Sequence, residues 1–155
     1  MIGTRVRSLL RAWLPVALWI GVIALESTDM MSARNTGSFL YAVLQAIFGP
    51  ISRSRFEVFH HLLRKSGHFV GYGILAIVCF RALRATLANG LARLWCGAML
   101  LTCLIASLDE WHQSFIPSRT ASVYDVALDT VGGLSLLLLA ALWTRRKHSA
   151  ATVRA

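Results

Sequence analysis

The stretch DEWHQSFIPSR, from Asp109 to Arg119, sets two carboxylates, a histidine, an amide and an arginine directly behind the apolar run MLLTCLIASL. Two more aspartates, Asp125 and Asp129, lie four residues apart in VYDVALD at the head of a further apolar run. Earlier in the chain, RKSGHFVGY brings Lys65, His68 and Tyr72 to the start of another. On a helix, Lys65, His68 and Tyr72 fall within about 60° of one another, as do Asp125, Asp129 and Gly132. Asp109, Glu110, His112 and Gln113 occupy a broader arc. Basic groups facing carboxylates, an amide and a phenol can pair ions, bind an anionic or amide-rich ligand, or move protons. Such chemistry requires elements that carry the three sets to one place.

Composition supplies those elements. The 155 residues are one domain's worth, read as a single domain over 1–155, and 56% of them are hydrophobic. Only 15% are charged, yet the formal net charge is +9. In a soluble protein that balance would suggest nucleic acid, but here the basic residues flank apolar runs instead of forming a solvated basic surface. No nucleic-acid partner is expected. Cys79, Cys96 and Cys103 lie inside apolar segments with no CxxC spacing, which makes them packing residues.

Four apolar segments stand out: Ala12–Leu25, Gly67–Phe80, Leu94–Leu108 and Val126–Trp143, the last interrupted by Asp129. Their uncharged stretches are short against the roughly 20 residues that cross a bilayer. Arginines at the ends, whose long stems reach outward, extend each span. Trp13, Trp95, Trp111 and Trp143 sit near segment ends, where interfacial aromatics belong. The expected fold is therefore an all-α polytopic membrane protein, a bundle of four transmembrane helices.

Charge gives the orientation. Arg5, Arg7 and Arg11 precede the first span, Arg81, Arg84 and Arg93 join the second to the third, and Arg145, Arg146, Lys147 and Arg154 follow the fourth. Those ten basic residues share their side with no acidic one, whereas all seven acidic residues fall on the other side with six basic ones. Positive-inside logic puts both termini in the cytoplasm. LESTDMMSARN lacks a small-x-small cleavage site, so the first span reads as an uncleaved anchor.

The first outer loop, roughly residues 26–66, begins polar and turns apolar in FLYAVLQAIFGP. Gly49 and Pro50 stop that short helix, which reads as amphipathic and lying at the outer interface. RFEVFHHLLRKSGHF restarts a helix, with Phe56, Phe59 and Leu63 at i, i+3 and i+7, running on into the second span. His60 and His61 read as surface residues. Gly132 and Gly133 read as a close helix–helix contact.

Antiparallel order brings the three polar sets to the same outer end. An ionisable group in hydrocarbon costs about 2.5–3.5 kcal/mol on insertion scales, so these groups should face one another. Asp129 lies about 6 Å deeper than Asp125 and needs a proton or a cation, with Lys65 or Arg119 the obvious choice. The expected binding pocket comprises Lys65, His68, Tyr72, Asp109, Glu110, Gln113, Arg119 and Asp125. Glu110 and Arg119, flanking the outer turn, are expected to be reached by water.

RKSGHFVGYGIL followed by SLDEWHQSFIPSRTASVYDVALDTVGG resembles the VanZ-like family of bacterial membrane proteins. The matching residues are Lys65, His68, Tyr72, Asp109, Glu110, Gln113, Pro117, Arg119, Ser122, Asp125 and Gly132, within residues 64–133. Where the family pattern has asparagine, this chain has Asp129, so any role of that amide does not carry over. The resemblance implies a cell-envelope protein associated with glycopeptide (teicoplanin-type) antibiotic resistance, whose partner would be a membrane lipid or cell-wall precursor component. It implies no cofactor and no particular reaction.

Other readings remain open at this point. SGH at residues 66–68 and SR-x5-D-x3-D at residues 118–129 are similar to part of the lipid phosphate phosphatase pattern. There the attacking histidine stands where Asp125 stands here, and no K-x6-RP block precedes it. A membrane enzyme acting on lipid-linked phosphates is the alternative function. A purely structural network would use the same residues to lock the spans together. A metal site from His68, His112 and the carboxylates lacks any HExxH or CxxC spacing.

Overall fold

The computed structural model describes residues 2–119 and 121–153. Arg154, counted above among the inner basic residues, lies outside them. The described residues form five helices: α1 (Ile2–Glu26), α2 (Ala33–Phe48), α3 (Arg53–Thr86), α4 (Leu91–Gln113) and α5 (Val123–Val153). A single 3-10 turn, Asp29–Met31, links α1 to α2. α1, α3, α4 and α5 are each long and apolar enough to cross a membrane, with mean hydropathies between 1.5 and 1.9 in their most apolar windows. This is a multi-pass membrane protein.

The four spans are longer than their uncharged stretches because polar side chains are carried inside the helices at both ends. α3 is the extreme case, running 34 residues from Arg53 to Thr86 without interruption through Ser66 and Gly67. The helix expected to restart at RFEVFHHLLRKSGHF does run on into the second span, as the first part of α3. α2 also begins earlier than FLYAVLQ, because the Ser32 side chain accepts the Asn35 backbone N–H and caps the helix at Ala33. Its end falls as expected, at Gly49 with φ of 79°.

Apolar side chains point outward in helical stripes: Leu10, Leu14 and Leu18 on α1, Leu100, Leu104 and Leu108 on α4, and Leu134, Leu138 and Leu142 on α5. Spacings of four residues over an exposed face suit lipid rather than water. The interior is narrow and built from small or slender groups, with Leu75, Ala76, Cys79 and Ala98 fully buried along α3 and α4. Cys79 packs in this core as expected, but Cys96 is exposed.

α3 is the central helix and packs against each of the others. Its closest neighbour is α5, and the two run parallel: Lys65 meets Asp125, Phe69 meets Gly132, and Leu136 covers Gly73. A Cβ on Gly132 would lie 2.3 Å from the Phe69 carbonyl oxygen, so only glycine permits this approach. The close helix contact expected at Gly132 is present. α1 is pinned to α3 by a hydrogen bond of 2.8 Å from Trp19 Nε1 to the Gly71 carbonyl.

Candidate functional site

The alternation of helix directions collects all seven acidic residues at one end of the bundle, where α1 and α4 finish and α3 and α5 begin. The pairing there follows from the parallel α3–α5 contact. Lys65 Nζ donates to Asp125 Oδ1 at the top. One turn deeper on each helix, His68 Nδ1 and Asp129 Oδ1 approach to 3.5 Å, without hydrogen-bond geometry. Asp129 is 1% exposed. Its neighbour is thus His68, neither Lys65 nor Arg119. In a parallel pair, stepping four residues down α5 matches stepping three down α3, which leads from Lys65 to His68.

α4 contributes a second layer. Tyr72, buried on α3, donates to Asp109 Oδ2 at 3.0 Å, and Gln113 Nε2 donates to the same oxygen at 3.0 Å. His68 stacks over Tyr72, with ring centroids 6.4 Å apart, so the two layers touch. Glu110 points the other way: its Oε1 accepts the Ser122 backbone N–H at 2.6 Å, tying α4 to the start of α5. At 7% exposure it is buried, against the expectation that water reaches it. A carboxylate near the first turn of a helix complements its dipole and satisfies a donor that has no intrahelical partner.

Arg119 is also more engaged than expected. Its guanidinium donates to the backbone carbonyls of Glu26 and Thr28, the latter at 2.9 Å, clamping the α4–α5 turn onto the end of α1. Burial draws this guanidinium below its usual range, while Asp109, Asp29, Glu110 and Glu26 act in the opposite sense. Its Nε is buried without a hydrogen-bond partner. Ser118 adds a second tie, donating to Asp29 Oδ1.

Between these elements lies a cavity of about 190 Å³, lined by His61, Arg64, Lys65, His68, Gln113, Ser118, Arg119 and Asp125, with Ala33 at its edge. Five of the eight expected residues line it: Lys65, His68, Gln113, Arg119 and Asp125. Tyr72, Asp109 and Glu110 do not, and instead support the wall from behind. Asp125 is the one carboxylate in the lining, beside the basic side chains of Arg64, Lys65 and Arg119.

Arg64 and His61 were missed by the sequence reading. Arg64 donates to the Met31 carbonyl at 2.7 Å and lines the cavity. The signal was present: His61, Arg64, Lys65 and His68 stand at i, i+3, i+4 and i+7, a continuous polar stripe on one helical face. His60, expected at the surface, is buried. It stacks on Phe56 at 5.6 Å, lies 3.3 Å from the Thr36 hydroxyl and fills the space left by Gly37. It belongs to the α2–α3 contact.

A second cavity of about 350 Å³ opens beside the first and shares Arg64 and His68 with it. Phe39, Leu40 and Leu63 make it largely apolar. The two cavities set a small polar mouth beside a largely apolar space. With that geometry in place, the comparison with family models is decisive: the VanZ/LLP1 family model matches residues 12–144. The chain belongs to the VanZ/LLP1 family. The match reaches from the first span to the end of the fourth, so all the residues around both cavities fall within it. Comparison with curated proteins gave no match, and neither did comparison with solved structures.

Proposed function

We propose that this VanZ/LLP1 protein binds an anionic, lipid-linked component of the bacterial cell envelope at the outer face of the inner membrane. Both termini are then cytoplasmic, as the ten-to-none distribution of basic over acidic residues favours. The observation that carries the reading is the pairing of cavities. Arg64, Lys65 and Arg119 around one small polar mouth suit a phosphate or carboxylate. Phe39, Leu40 and Leu63 in the adjoining space suit the first part of a hydrocarbon chain.

Glycopeptide resistance of the teicoplanin type follows as the physiological consequence. A protein that holds a cell-wall precursor at the membrane face alters how much of it the antibiotic reaches. The test is binding of a short-chain polyprenyl phosphate to the purified protein in lipid nanodiscs, with free phosphate monitored in the same samples. Saturable binding that weakens in Lys65→Gln supports the reading. Release of phosphate would support turnover instead, and absence of saturable binding would remove the proposal.

A further inference from the structure

A further cavity lies at the end of the bundle opposite the acidic residues. It measures about 620 Å³ and lies between α1 and α3. Its α1 wall is Thr4, Arg7, Ser8, Arg11, Ala12 and Pro15, a stripe at i, i+3, i+4, i+7, i+8 and i+11. The α3 wall is Val78, Arg81 and Ala85, at i, i+3 and i+7. Ser8, Ala12 and Ala85 contribute only small side chains to this lining.

Three guanidiniums, from Arg7, Arg11 and Arg81, line this one space. Every acidic side chain of the protein lies at the other end of the bundle, and among the described residues none pairs with these arginines. Basic residues that merely anchor a span fan out around it and snorkel individually. Arg5, Arg84 and Arg93 lie at the same end without lining the cavity. Three guanidiniums around one open space favour an anion between them, and a planar guanidinium grips phosphate oxygens in pairs. Exposed Leu10, Leu14 and Leu18 continue from the same helix along the lipid face.

We propose that this cavity is a binding site for the phosphate headgroup of an anionic phospholipid, with its acyl chains lying along α1. Headgroup sites of this kind form where basic pockets open between transmembrane helices. The site is separate from the acidic-end cluster and does not depend on the function proposed for it.

The test is native mass spectrometry of the detergent-solubilised protein titrated with mixed phosphatidylglycerol and phosphatidylcholine. Wild type should retain phosphatidylglycerol selectively. The triple variant Arg7→Gln/Arg11→Gln/Arg81→Gln should lose that selectivity by about tenfold or more. The control Arg5→Gln/Arg84→Gln/Arg93→Gln, with the same change in net charge, should keep most of it. Ser8→Leu/Ala85→Leu retains every arginine but fills the cavity, and should lose selectivity as well. An equal loss in both arginine triples would overturn the site in favour of diffuse electrostatics. So would full selectivity in the filled variant. Displacement of the lipid by millimolar inorganic phosphate would assign the cavity to a soluble anion and refute the lipid.

Discussion

Replacing Gly132 with alanine tests the contact that holds the polar cluster together. The added Cβ would lie 2.3 Å from the Phe69 carbonyl oxygen and 2.9 Å from both the carbonyl carbon and the Cα of that residue. These are backbone atoms of a continuous helix, so no rotamer change relieves the clash. Reaching an ordinary carbon–oxygen separation of about 3.3 Å requires α3 and α5 to move apart by about 1 Å. Overpacking of this kind costs about 1–3 kcal/mol. Alanine also favours the helix over glycine by about 0.8–1 kcal/mol. Gly71→Ala provides the control, because a Cβ there meets nothing within 4 Å. The propensity gain is common to both variants and cancels, leaving a difference equal to the steric cost. Denaturation of the purified proteins in mixed micelles, followed by helical circular dichroism, should place Gly132→Ala about 1–3 kcal/mol below Gly71→Ala. Equal midpoints would refute the close α3–α5 approach and, with it, the register that sets Lys65 against Asp125.

Further outcomes follow from the same geometry. Glu110→Ala orphans the part-buried Ser122 N–H and should lower stability by about 1 kcal/mol in the same assay, with Glu110→Gln less affected because an acceptor oxygen remains. Arg119→Ala frees the α4–α5 turn from α1, and should speed proteolytic cleavage between residues 114 and 122 while cleavage elsewhere is unchanged. Asp129→Asn removes a buried carboxylate beside His68 and should be tolerated or should raise stability; a loss above about 1 kcal/mol would mean that the charge itself is needed. A double-mutant cycle on Lys65→Met and Asp125→Asn should give a coupling of about 0.5–3 kcal/mol, and a coupling near zero would count against their contact.

Much of this fold was legible because a membrane imposes long apolar runs and sorts charge to their ends. The four spans, the continuation of Phe56–Leu63 into the second, and the Gly132 contact all follow from local patterns. Partner choice was harder. Which residue meets Asp129 depends on the direction and register of α5 against α3. That register is set by Gly73 and Gly132, whose importance appears only when the facing atoms are known. Glu110 and Arg119 carry typical ligand-binding chemistry, yet backbone groups claim much of their hydrogen bonding. A sequence shows side chains but not which amides and carbonyls the loops leave unsatisfied. His60 was misplaced for a similar reason: its burial depends on Gly37 of a different helix.

These engagements also decide which variants can separate function from folding. Glu110 and Arg119 are poor probes, since their loss loosens the turn. His61 is exposed on the cavity rim and Lys65 is about one-third exposed, so both can be altered with less structural consequence. The most direct measurement sets glycopeptide susceptibility beside membrane abundance for wild type, His61→Ala, Lys65→Gln and Gly132→Ala. A binding site at the acidic end predicts that Lys65→Gln, and to a lesser degree His61→Ala, lose protection against teicoplanin at full abundance, whereas Gly132→Ala loses protection only as far as its level falls. Protection strictly proportional to protein level across all four would contradict the site.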